Sequence, residues 1–207
     1  MKKYIFLLIL MMTSCKAQNN ALMIPEIDNK FERFDTIKYN SLKKNISNTV
    51  FITLKNGTYI EMVKVKAGAA YYETPYDSYF KIFKDYYPSG NIKYKGIALN
   101  VWGNFKKGIW YEFDENGNLI KEIDHDKPYK FTFENILKFC ETHGIKIDKG
   151  PILQSTGWHN EISRKIENDK PVWEIEHLKK SNLVEIIKLD GVTGKVLGTS
   201  TYKYINN

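Results

Sequence analysis

The period of the hydrophobic positions changes several times along the chain. Residues 4–12 form an unbroken apolar run (YIFLLILMM) behind Lys2 and Lys3. Residues 16–29 are mostly polar around Pro25, which predicts a flexible tether. Phe31, Phe34, Ile37 and Leu42 then recur at roughly helical spacing and predict a short helix within residues 30–45. From Thr49 the texture becomes that of strands. Val50–Leu54 and Thr58–Val63 flank Asn56-Gly57, the pattern of a hairpin. Gly68-Ala69-Ala70 and Pro75 predict the next loop.

The centre of the chain repeats itself. Tyr86-Tyr-Pro-Ser-Gly90-Asn91-Ile92 aligns with Phe113-Asp-Glu-Asn-Gly117-Asn118-Leu119, the two glycines lying 27 residues apart. The same offset sets Phe83 against Trp110. A hairpin used twice explains this: glycine supplies the left-handed turn position and the flanking aromatics fill a sheet face. In a half-buried strand, Ile109, Tyr111 and Phe113 would share one face, with Trp110 and Glu112 on the other.

Beyond Pro128, Phe131–His143 reads as a helix. Thr132 is its N-cap, Phe131 and Ile136 its hydrophobic staple, and Gly144 its terminating glycine. Its apolar stripe is Phe133, Ile136, Leu137 and Cys140. Three strand-like runs follow: Val172–Leu178, Leu183–Leu189 and Lys195–Ile205. Asp190-Gly-Val-Thr-Gly194 makes the turn between the last two. The expected fold class is α+β: an antiparallel β-hairpin sheet over residues 46–128, then a helix packed on a C-terminal antiparallel sheet over residues 129–207.

Gly108, Trp110, Phe113, Gly117 and Leu119, with Phe83, Tyr86, Gly90 and Ile92 as a partial second copy, resemble the MORN-repeat variants of bacterial exported and antitoxin-like proteins. Lys81 stands where that second copy would have glycine. Trp173, Ile175, Leu189, Asp190, Thr193, Gly194 and Val196 resemble the PepSY-type domain. That resemblance implies an exported or membrane-associated module that binds or inhibits other proteins.

The N-terminal layout of basic head, short apolar core and small residues is that of a secretory signal. The apolar run is about half of the ~20 residues a spanning helix needs. Met12-Thr13-Ser14-Cys15 resembles the lipobox of bacterial lipoproteins, with Met12 in place of the usual Leu. The resemblance implies cleavage after residue 14, acylation of Cys15, and a chain anchored by lipid in the bacterial cell envelope. The alternative is an ordinary secretory peptide cleaved near Ala17-Gln18. Once Cys15 is acylated, Cys140 is the only remaining thiol, so no internal disulfide can form.

The formal charge of +7 raises nucleic acid as a partner. Arginine, which suits planar phosphate and base recognition, occurs only at Arg33 and Arg164, and the lysines are dispersed among acids. No nucleic-acid partner is therefore expected. Nor is a metal or cofactor: there is no phosphate loop, nucleophile elbow, Cys-x-x-Cys pair or close histidine pair. Cys140 lies on an apolar stripe, where a cysteine behaves as a small hydrophobe. Asp124-His125-Asp126 reads as a solvated loop, and His177 as a residue on the wet face of its strand. Hydrolysis by residues near His125 or His159 is the alternative to the main expectation, a non-enzymatic module that binds a protein partner. Tyr76, Tyr79, Tyr87, Trp102 and Trp110 are the candidate contact residues, tyrosine being favoured at interfaces.

Overall fold

The structure, a computed structural model, describes residues 22–100, 105–152 and 157–204. It is an α+β fold with two antiparallel sheets. The first sheet is a seven-stranded meander in chain order: β1 (Thr49–Thr53), β2 (Tyr59–Val65), β3 (Gly68–Thr74), β4 (Phe80–Tyr86), β5 (Ile92–Leu99), β6 (Lys106–Phe113) and β7 (Leu119–Asp124). The second has the order β11-β10-β9-β8, from β8 (Glu161–Glu167), β9 (Lys170–Lys180), β10 (Leu183–Asp190) and β11 (Val196–Lys203). Helix α1 (Thr36–Leu42) precedes the first sheet and α2 (Phe133–Thr142) joins the two.

Three hairpins of the meander close with one turn. Gly57, Gly90 and Gly117 have φ of +81°, +85° and +89°. Each glycine N–H donates to the carbonyl three residues earlier: Leu54 at 2.9 Å, Tyr87 at 2.8 Å and Asp114 at 3.0 Å. Those three residues in turn donate to the carbonyls of Thr58, Asn91 and Asn118. The 27-residue echo is thus a repeated backbone geometry, with the Asn56-Gly57 hairpin as a third instance.

The inner face of the meander is covered in two halves. Ile60, Met62, Ala69, Tyr86, Ile92 and Phe113 pack with Phe34, Tyr39 and Val50. Phe80, Ile97 and Leu99 instead join Phe105, three residues of α2 and the inner face of the second sheet, around the fully buried Trp173. One core therefore runs from β4 and β5 through α2 into β8, β9 and β10. Thr132 caps α2 in a capping box with Asn135. At the other end Ile145 N–H bonds the Cys140 carbonyl and Gly144 N–H the Glu141 carbonyl, the paired bonds of a Schellman motif.

Several expectations are corrected. Gly68-Ala69-Ala70 is not a loop but the start of strand β3, with Pro75 in the loop after it; the small residues allow close cross-strand approach, since a β-carbon on Gly68 would lie 2.3 Å from the Tyr86 carbonyl oxygen. Strand β8 (EISRKIE) carries too many charges to show a strand period, and goes unpredicted for that reason. Helix α1 buries Tyr39, while Ile37 is 85% exposed, so the stripe read through Ile37 is wrong. His177 lies on the same side of β9 as Trp173 and Ile175 and pairs with Glu185 at 3.0 Å. It is not on the wet face.

From residue 22 onward the segment expected as a tether is laid against the sheet. Ser78 Oγ donates to the Met23 carbonyl, and Ile92 N–H to the Glu32 carbonyl. The cause is Lys95, 2% exposed, whose ammonium donates to Asp28 (3.1 Å), the Lys30 carbonyl (2.7 Å) and Glu32 (3.0 Å). Glu32 also binds Lys84 at 2.6 Å. A buried ammonium needs such partners, and the polar segment supplies them.

Candidate binding face

With most of the inner face covered, the outer face of the meander is the broader surface the fold leaves open. Its side chains follow the two-residue strand period: Glu61, Tyr72 and Phe83 are aligned neighbours on β2, β3 and β4, and Phe83 faces Gly96 on β5. Tyr72 and Phe83 meet at 5.0 Å, Phe83 and Tyr94 at 5.6 Å. Trp110, from β6, reaches back across Gly96 to both Phe83 (5.9 Å) and Tyr94 (6.1 Å). Its indole N–H donates to the Ile97 carbonyl at 3.0 Å. Trp110, expected as a contact residue, is 4% exposed, whereas its neighbour Ile109 is 43% exposed. Trp110 is buried because Gly96 leaves a gap that the indole fills.

Lysines stand over these rings. Lys106 Nζ is 4.3 Å from the Trp110 centroid, Lys81 Nζ 5.7 Å from that of Tyr72, and Lys93 Nζ 5.8 Å from that of Tyr94. Lys93 also meets Asp85 at 3.8 Å. Burial pushes the Lys81 ammonium below its ordinary pKa, Glu61 opposing weakly. Burial likewise raises the Tyr72 and Tyr94 phenols, helped by Glu61 and then Asp85 at Tyr72 and by Asp85 at Tyr94. It raises the Asp85 carboxyl as well, against Lys93.

His125 closes the end of this face, edge-on to Trp110 at 6.1 Å. Its Nε2 is buried with no hydrogen-bond partner, and burial, then Lys106 and Arg164, push its pKa down. The loop around it is not simply solvated. Asp126 accepts from Arg164 at 2.7 Å and pairs with Lys107 at 2.7 Å. The Arg164 guanidinium is stacked on Phe105, Tyr129 and Trp173. These bonds turn Asp126 away to join the two sheets, and His159 is engaged by Asp148 at 2.8 Å. Among the described residues, no group of three or more His, Cys, Asp or Glu is placed to hold a metal ion.

The candidate contact residues scatter. Tyr76 is 64% exposed in the loop after β3. Tyr79 packs edge-on against Phe133 of the core, and Tyr87 donates its hydroxyl to the Phe113 carbonyl. Of the four described, Trp110 alone joins the outer aromatic patch. Trp102 and Cys15 lie outside the described residues. Tyr94, Lys81 and Lys106 were not anticipated, although one signal was present: aromatics recur every 11 residues at 72, 83 and 94. Protein-family models, curated proteins and solved structures yield no match to this chain.

Proposed function

We propose that this chain is a lipid-anchored protein of the bacterial cell envelope that works by binding a protein partner and not by catalysis. In this reading Cys15 carries the lipid, the meander is a MORN-like hairpin array and the α2–β11 region a PepSY-like unit. Binding then inhibits or neutralises the partner. The shared turn geometry at Gly57, Gly90 and Gly117 supports the first resemblance, and a helix followed by antiparallel strands supports the second. Among the described residues no helix is long and apolar enough to cross a membrane.

The observation that carries the proposal is the asymmetry of the seven-stranded sheet. From β2 to β6 one face is largely engaged by the chain itself, while the other presents half-buried Tyr72, Phe83 and Tyr94 with lysines over the two tyrosine rings. Aromatics of this kind supply much contact area at low entropic cost. The test places a photo-crosslinking residue at Glu61 or Glu112, on the outer face, and at Ile166 on the second sheet as a control. In cells, a discrete adduct from the outer-face positions alone is expected. Adducts of equal yield from Ile166, or none from the outer face, would overturn the reading.

A further inference from the structure

The charges on the outer face are not evenly satisfied. Lys81, Ala98 and Lys106 are aligned across β4, β5 and β6, so two lysines flank one small side chain. Among the described residues neither lysine forms an ion pair. Both ammoniums rest on rings, a contact that leaves their charge available to a second partner. Four residues along β4 the next matching row is balanced. There Asp85, Tyr94 and Glu112 align, with Lys93 beside Asp85 and Lys121 aligned with Glu112. The face therefore has one corner where two lysines stand without an ion pair among the described residues, Glu61 acting on Lys81 only from a distance.

Resting on the binding reading above, we infer that the Lys81–Ala98–Lys106 row is an anion seat and that its occupant is a segment of a protein partner. That segment places a single carboxylate between the two ammoniums and a neighbouring aromatic or aliphatic side chain against Tyr72 and Phe83. Three observations select this occupant. Lys81 and Lys106 stand in register on the strands either side of the small Ala98, so both flexible side chains can swing from their rings to one anionic group laid across β5. Glu61, Asp85 and Glu112 border the rings, so a uniform polyanion would set its remaining charges against carboxylates. The accessible rings are also tilted, Tyr72 to Phe83 by 50° and Phe83 to Tyr94 by 41°, while Trp110, stacked at 29° on Phe83 and Tyr94, is itself only 4% exposed. Tilted rings make clefts that receive the edge of a side chain and offer no flat platform for stacked bases or sugar rings. Half-burial of Lys81 adds a driving force, because an arriving carboxylate restores the environment its charge lacks.

The experiment is selection of peptides from a random displayed library against the intact mature protein, followed by affinity measurement on the enriched peptides. Enrichment of one acidic residue beside an aromatic or aliphatic one is expected. Lys106→Glu, at an exposed position, should weaken those peptides by about tenfold or more and shift selection towards basic residues. Lys81→Gln should weaken them less. Lys149→Glu, remote from the row, should change nothing. Thermal unfolding confirms that each variant is folded, and Lys106→Glu alone suffices should Lys81→Gln fail. Enriched peptides without an acidic preference, or a preference untouched by Lys106→Glu, would overturn the inference. So would tighter binding of an oligo-uronate, a single-stranded oligonucleotide or a phosphatidylglycerol vesicle than of any peptide. Crosslinking from Glu61 or Glu112 that persists in Lys106→Glu would sink the anion seat and leave the binding reading standing.

Discussion

The Trp110 indole lies flat on the backbone of Gly96. A β-carbon built on Gly96 would fall 2.2–2.4 Å from three indole atoms. Gly96 is not among the left-handed glycines, so the requirement is for space alone. Gly96→Ala should therefore evict the ring or bend β5, at a cost of about 1–3 kcal/mol, the range for overpacking a filled site. Trp110→Ala on the native backbone should cost about 3–5 kcal/mol through the void it leaves. Urea unfolding measures both. A Gly96→Ala midpoint equal to that of the native protein would show that the indole is not seated as described.

A second prediction concerns Lys95 and Glu32, which together hold the N-terminal segment on the sheet. The two partners are not equivalent. Removing Glu32 leaves two largely buried ammoniums, Lys95 and Lys84, without their shared carboxylate. Removing Lys95 leaves Glu32 with Lys84, and Asp28 largely in water. Glu32→Ala should thus cost about 3 kcal/mol and Lys95→Met about 1 kcal/mol. Both should speed hydrogen exchange at Ile92 N–H, which donates to the Glu32 carbonyl. Equal costs for the two variants would contradict the asymmetry.

The acid limb of stability should depend on Asp126. Burial works to raise its pKa, but hydrogen bonds and charge from Lys107 and Arg164 win and hold it below the ordinary 3.8. A carboxylate depressed in the folded state stabilises the fold above its unfolded pKa, and that contribution is lost as pH falls through the folded value. Stability should accordingly decline as pH drops below about 4. Asp126→Asn should remove about 2 kcal/mol at neutral pH, a figure reduced because the carboxylate is about one-third exposed, and should flatten the decline. Urea midpoints from pH 7 to pH 2 decide it. A variant curve parallel to the native one would mean that Asp126 is not the titrating group.

Features set by a few adjacent residues were legible in the sequence. Asn56-Gly57, Gly90, Gly117 and Asp190–Gly194 specify turns by themselves, and Thr132 with Gly144 brackets α2. What failed depends on residues far apart in the chain. Trp110 is buried because position 96, fourteen residues earlier, is glycine. The charged strand β8 is seated because Arg164 finds Asp126, 38 residues away. Residues 22–29 look like a tether until Lys95 reaches them. The outer patch was hidden for the same reason. Tyr72, Phe83 and Tyr94 share a strand period with the core residues, and which face stays open is decided by what packs on the other.

The two cysteines allow the anchoring proposal to be tested by thiol chemistry and mass together. Cys140 is 1% exposed, and burial pushes its thiol up to about 12. A thiol held so far above neutrality has almost no reactive thiolate, so in the native protein Cys140 should resist a disulfide reagent at pH 8. In denaturant it should react fully. The mature protein then distinguishes three cases. Acylation at Cys15 gives one thiol in denaturant and an N-terminus heavier by its acyl groups. Cleavage near Ala17-Gln18 also gives one thiol, but without added mass. An uncleaved chain gives two. Only the first result fits a lipid anchor, for which the second acyl chain matters: a single chain binds a membrane marginally, while two hold it stably. Replacement of Cys15 by Ala should then release the protein from the membrane fraction, leaving the fold and the thiol of Cys140 as they were.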